Sequence, residues 1–245
     1  ADIPHETEFA VIQDTLSRLI SAKNALAGQR IFEYIRDCMQ SCDARKFMFC
    51  IDAVKQLALD NDDYRQIGID ALTLLNDRRY DTGPLKRGSV LHIIKINLDA
   101  VLASCPNIGE TTNSRFCRID FSTRQHLRQP RNNETTLVID AEHFEPEGDN
   151  CDAVLIVAAF KLGWKRFIIY KYRGQRFTGC GFGPATEDVR IDVYGSSGDY
   201  LASGIDGMEI HVHGNAQDQL CQIMKDGKLV VFGDVGQTFM YGAKG

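Results

Sequence analysis

Two hydrophobic rhythms divide this chain. In residues 1–80 apolar positions recur every three or four residues, the spacing that puts them on one face of a helix. Phe9, Ile12, Leu16, Leu19, Ile20 and Leu26 form the first stripe, and Ile31, Tyr34, Ile35 and Cys38 the second. Phe47, Cys50, Ile51, Val54, Leu57 and Ala58 make a third, and Ile67, Ala71, Leu72 and Leu75 a fourth. Short polar breaks at "LAGQ", "SCDA" and "DNDD" separate them, so the pattern predicts a compact antiparallel helical array whose stripes are core. Residues 81–134 read as a linker ("DTGPLKRGS"), one further helix over Val90–Ala103 and a polar, Arg-rich connector.

From residue 135 the rhythm changes. "TTLVIDA" and "RFIIYKY" are β-branched and aromatic runs that flank the helical "NCDAVLIVAAFKLG", which predicts one β–α–β unit. Trp164, the only tryptophan, falls where that helix turns back and reads as a core anchor. Beyond it the chain repeats itself: "VYGSSGDYL", "VHGNAQDQL" and "VFGDVGQTF" begin at Val193, Val212 and Val231, 19 residues apart. Ile191, Ile210 and Leu229 fall in one column, Leu201, Leu220 and Phe239 in another, and the turn glycines Gly195, Gly214 and Gly233 in a third. A fixed period of this length is the mark of small units stacked to bury a shared apolar face. Helical repeats need about 33 residues, so the unit is read as strand and corner. The expected fold class is α+β, a helical N-terminal region followed by a right-handed parallel β-helix with a 19-residue repeat over residues 135–245. The third copy runs straight into "MYGAKG" with no closing helix or charged edge, so this end is expected to continue into further rungs or to be capped by a partner.

The repeats, the glycine columns and the "GNAQD" turn carry a resemblance. Residues 135–245, with "VIDA" at Val138–Ala141 and "GQRFTGCGFG" from Gly174, resemble the GXGXG-type β-helix at the C-terminus of the glutamate synthase large subunit and the related C subunit of formylmethanofuran dehydrogenase. The resemblance implies a scaffold packed against catalytic domains. It brings no catalytic part: Ala1 stands where a glutamine-hydrolysing cysteine would be needed, and neither a flavin barrel nor cluster-type cysteine spacing occurs. FMN and iron–sulfur clusters are then expected on partner subunits, with no cofactor in this chain.

Composition changes little. The 44% hydrophobic and 25% charged residues are ordinary for a globular chain, and a net charge of −5 argues against a general nucleic-acid binder. No apolar run is long enough to span a bilayer, and "ADIPHETEF" has no signal-peptide pattern, so a cytoplasmic location is expected. The eight cysteines, at 38, 42, 50, 105, 117, 151, 180 and 221, include no CxxC pair. Cys38, Cys42 and Cys50 could form a metal trio, but buried free thiols in a reducing compartment are the favoured reading.

Four chemical candidates need a test. "GCGFG" at Gly179–Gly183 lacks the GxGxxG spacing and a following helix, so it reads as tight corners rather than a dinucleotide loop. Cys180 sits in that glycine nest, which could favour a thiolate, but no histidine lies nearby in sequence. His211 and His213 share one side of a strand and could hold a metal, though no third ligand is local and an exposed polar face explains them equally well. Arg115, Arg118, Arg124, Arg128 and Arg131 could clamp an anion or nucleic acid.

The expected function is therefore a non-catalytic scaffold or assembly subunit of a glutamate-synthase-like redox complex, bound to catalytic redox subunits. The alternatives are a stand-alone anion- or nucleic-acid-binding module built on the arginines, and an enzyme using Cys180 with the two histidines.

Overall fold

The computed structural model describes residues 3–244, with side chains from residue 7 onward. Ala1 and Gly245, on which the expectations about the chain's two ends rest, lie outside the described residues. The chain divides into two compact units, 1–104 and 105–245.

The first unit is helical. It comprises α1 (Ile3–Ser21), α2 (Ala27–Cys38), a 3₁₀ turn (Met39–Ser41), α3 (Ala44–Ala58), α4 (Asp62–Asp77) and α5 (Arg87–Ala103). The apolar stripes supply the core, with Leu16, Ile20, Ile31, Phe47, Ile51, Leu72 and Leu75 fully buried, except that Leu26, expected in the first stripe, lies beyond α1 and is 57% exposed. The breaks at "SCDA" and "DNDD" act as predicted, whereas "LAGQ" mostly forms the first turn of α2 and the chain breaks just before it. Asp43 and Asn61 cap α3 and α4 by accepting from the backbone N–H of Lys46 and Tyr64, at 2.8 and 3.0 Å, which satisfies donors that a helix start leaves open. Two helices approach closely at Gly68, where an added Cβ would press on the Ala58 methyl at 2.6 Å. The α5 helix packs against α3 and α4 in this same unit.

The second unit overturns the expected fold class. It is α/β: one six-stranded, all-parallel sheet ordered β1 (Phe116–Asp120), β2 (Thr136–Asp140), β3 (Arg166–Arg173), β4 (Arg190–Ser196), β5 (Asp206–Val212) and β6 (Asp226–Val231), with one α-helix between β2 and β3, and not a right-handed β-helix. The 19-residue columns are real as strand register: Ile191 lies opposite Ile210, and Ile210 opposite Leu229. They extend a sheet that starts upstream of the repeat. Its first three strands follow no fixed period, and β2 reaches β3 through α6 (Asp152–Lys161). Periodicity reports which residues stack; it does not say what they stack onto.

The sheet's core is the inward set of every strand. Ile119, Leu137, Ile139, Phe167, Ile169, Ile191, Val193, Ile210 and Val212 pack there with Leu155, Ile156, Ala159 and Trp164. These parallel strands are sealed on the core face, as near-continuous Val/Ile runs in parallel sheets require. Among the described residues no helix is long and apolar enough to cross a membrane.

Candidate functional site

The repeated copies are held together at backbone distance by their corners. At Gly195, where φ is +131°, a side chain would fall inside the Tyr172 carbonyl; at Gly214 it would fall inside the Gly195 carbonyl. Glycine is therefore required by the approach of one copy to the next. Gly233 continues the column, with the Gly214 carbonyl beneath it.

A polar ladder runs beside the glycines. Asp199 accepts from the Asp218 N–H at 3.1 Å, Asp218 from Gln237 N–H at 2.6 Å, and Asn215 from Asp234 N–H at 2.9 Å. Left-handed backbone also repeats every 19 residues: Gly183, Ala202, Cys221 and Met240 form one column, with φ of 81°, 61°, 52° and 59°. Gly181, Tyr200, Gln219 and Thr238 form another. The "GCGFG" stretch thus holds the unstrained founding members of columns that later copies fill with ordinary residues at a conformational cost. Glycine was legible there; the columns were not.

The chemical candidates are tied down. Cys180 is half-buried, and its thiol donates to the Tyr200 carbonyl at 3.2 Å. Burial pushes it up to about 11, the reverse of what a nucleophile needs. His211 Nε2 meets Glu209 Oε1 at 2.5 Å, while Arg190 approaches its other ring nitrogen at 3.4 Å. His213 is buried, with Nε2 3.3 Å from Asp192 Oδ1. Burial would raise the Asp192 carboxyl, but hydrogen bonds from His213 and Arg190 outweigh it and hold the group well below the usual carboxylate range. The two imidazoles are 6.3 Å apart between ring centres. Among the described residues no group of three or more His, Cys, Asp or Glu is arranged to hold a metal. Cys38, Cys42 and Cys50 also stay protonated, because burial raises all three thiols, the last two up to about 11 and about 12.

The arginines of this stretch are engaged within the fold. Arg118 pairs with Asp120 at 3.0 Å, Arg124 lies over the Phe121 ring at 3.7 Å, and Arg131 donates to the Glu110 carbonyl at 2.7 Å. Arg128 grips both oxygens of buried Glu134 at 2.6 and 2.7 Å and donates to the Ile108 carbonyl. Its own carbonyl accepts from the Trp164 indole at 2.8 Å. A bidentate pair of this kind fixes a loop rather than awaiting an anion.

Sequence reasoning passed over one buried cluster. Asp152, the first residue of α6, is fully enclosed; one oxygen accepts from Thr178 at 3.1 Å and the other has no hydrogen-bond partner. Tyr172 hydroxyl in turn meets Thr178. In sequence an acidic residue at a helix start reads only as a dipole partner, so nothing signalled it.

The two edges of the sheet differ. The outer side of β1 is covered by the chain itself: Ile108 N–H donates to the Arg118 carbonyl at 2.8 Å, and Arg118 N–H donates to Pro106 at 2.7 Å. On β6 no residue is fully buried. Beside it Phe232, Val235, Phe239, Met240 and Tyr241 are exposed, and a cavity of about 520 Å³ opens among Leu220, Met224, Leu229, Val231, Phe239 and Met240. An edge strand with an apolar floor is a site for strand addition. No family model, no curated protein and no solved structure matches this chain.

Proposed function

We propose that this chain is a non-catalytic assembly subunit, whose parallel sheet offers β6 as a platform for another protein. The observation that carries the reading is the contrast between the β1 edge, closed by Pro106–Ile108, and the β6 edge, which leaves Phe232, Val235 and Phe239 exposed beside an apolar cavity. The tethering of Cys180, His211 and His213 by internal partners supports a non-catalytic role. The resemblance to the GXGXG segment of glutamate synthases suggests the partner class, flavin- and iron–sulfur-bearing subunits of a glutamate-synthase-like redox complex.

The test is purification of the tagged chain from its native cells under mild conditions, followed by native mass spectrometry and visible absorbance. The expected result is co-elution with other subunits, flavin and cluster absorbance in the complex, and a colourless chain once separated. Flavin or cluster absorbance that stays with the separated chain contradicts a non-catalytic subunit. Recovery of the chain free of redox subunits contradicts the complex.

A further inference from the structure

The buried cluster at the start of α6 joins three parts of the second unit. Asp152 comes from α6, Tyr172 from the end of β3 and Thr178 from the glycine-rich segment 174–183, and all three are almost fully enclosed. The Thr178 hydroxyl donates to one Asp152 oxygen at 3.1 Å and meets the Tyr172 hydroxyl, while the second Asp152 oxygen has no hydrogen-bond partner. The cluster thus holds one carboxyl and no cation. Tyr172 keeps its proton, because burial and the neighbouring carboxyl raise its hydroxyl well above its ordinary value. Cys151, the residue before α6, is the other titratable neighbour. Arg176, the cation on the segment, turns instead to Glu147 at 2.9 Å and Asp199 at 3.2 Å. A carboxylate enclosed without a cation is strongly unfavourable, whereas the protonated acid is tolerated.

The segment that closes this cluster is costly to order. Neither helix nor strand runs through residues 174–183. Gly174, Gly179, Gly181 and Gly183 take left-handed φ, and so does Phe177 at 65°. Four glycines lose more backbone freedom on ordering than other residues would, and Phe177 adds a conformation that its side chain disfavours. Single backbone bonds, such as Arg176 N–H to Pro146 at 2.9 Å and Phe177 N–H to Asp199 at 3.3 Å, hold it in place of a ladder. A segment of this kind opens more readily than the strands beside it.

We propose that Asp152 is a proton-dependent latch: protonated, it lets α6 and the segment 174–183 close over one another, and ionised, it drives them apart. The inference is independent of the assembly reading and gives the fold a conformational response to pH. The closed state carries the proton, its carboxyl pushed up to about 7 by burial, and the opened state releases it at an ordinary carboxylate value. Closure is therefore strongest below about pH 4, weakens as pH rises towards 7 and changes little above that. Opening exposes the first turn of α6 and the Thr178 loop and leaves the strands paired.

Cys151 reports the latch. It is 5% exposed and directly precedes Asp152, while Cys117, on β1, is 2% exposed and lies outside the cluster. The full chain is labelled under native conditions with a dipyridyl disulfide, which reacts with thiols in acid as well as at neutral pH. Each site's rate, read by peptide mass spectrometry, is divided by its rate in the unfolded chain at the same pH. Normalised labelling of Cys151 is expected to rise about thirtyfold between pH 4 and pH 8, and at pH 8 to exceed that of Cys117 by at least about tenfold. Asp152→Asn should remove the rise at Cys151. Amide exchange at Phe177 and Cys180 in the unmodified chain, corrected for its intrinsic pH dependence, should rise in step, and this readout depends on no variant folding. Equal normalised rates at Cys151 and Cys117 at every pH would overturn the latch, because the opening is then global. A rise at Cys151 that persists in Asp152→Asn would do the same, as would protection at Phe177 and Cys180 that stays constant from pH 4 to pH 8.

Discussion

The β1 and β6 edges belong to one parallel sheet, yet they are finished in opposite ways. At β1 the chain folds Pro106–Ile108 over the strand and locks the neighbouring loop with Arg128, Glu134 and the Trp164 indole. At β6 it leaves half-exposed Leu229 and Val231 facing a cavity. Edge strands normally carry charges, prolines or covers that prevent pairing. The difference is that the apolar floor is closed beside β1 and exposed beside β6.

The contrast is broken most severely in the apolar columns. Ile210 is fully buried, whereas Leu229, one position outward in the same column, is half-buried. Ile210→Ala should cost about 3–5 kcal/mol and Leu229→Ala about 1 kcal/mol, read as chemical-denaturation midpoints of the full chain. Equal losses would mean that the β6 side is as closed as the β4–β5 interior.

At the closed edge the decisive residue is Arg128. Burial would raise the Glu134 carboxyl, but the Arg128 hydrogen bonds outweigh it and hold the group below its usual value. Arg128→Ala leaves that buried carboxylate unpaired and should cost about 3 kcal/mol. Arg128→Lys, which keeps charge but loses the fork, should recover only part of it. Preserved stability in both variants would remove the clamp from the account.

Asp152 sharpens the picture between the edges. Burial pushes its carboxyl up to about 7, against the hydrogen bond from Thr178, so the folded chain holds a proton that the unfolded chain has lost. With the folded value above the unfolded one, stability falls as pH rises from about 4 towards 7. Asp152→Asn should abolish that slope and gain about 2 kcal/mol over the parent at pH 8, with little difference at pH 4. Parallel pH profiles for the two proteins would refute this assignment.

How much of this the sequence disclosed depends on whether the determining contact was local. The stripes of α1 to α4 were readable because each helix buries its own periodic face, as Leu16, Ile31, Phe47 and Leu72 do. The register of β4, β5 and β6 was readable because 19-residue spacing places Ile191, Ile210 and Leu229 in line. The β-helix expectation failed because the period is silent about β1–β3, to which the repeated strands add. The β1 strand itself escaped notice: Phe116–Asp120 is five residues long, set among arginines of which Arg128 and Arg131 also reach the carbonyls of Ile108 and Glu110, 20 and 21 residues away. Of the site candidates, the turn glycines were legible because a close backbone approach demands glycine. The tethering of Cys180 was not, since the Tyr200 carbonyl that engages it lies 20 residues away.

The smallest effect has the opposite sign. Ile223 is 62% exposed and holds a left-handed φ of 49°, in the column where Gly204 and Gly242 have 71° and 70°. A β-branched side chain is disfavoured there, so Ile223→Asn should stabilise the chain by about 1 kcal/mol while leaving β6 unchanged. A loss of stability would show that its packing beside Gly204 outweighs the strain.

Amide hydrogen exchange at Leu229 and Val231 tests the central claim most directly. In the isolated chain at low concentration these two amides should exchange rapidly while those of Ile210 and Val212 remain protected, and both should become protected in the native assembly. Protection of Leu229 and Val231 in the isolated monomer, or rapid exchange that persists in the assembly, would contradict an edge that a partner strand completes.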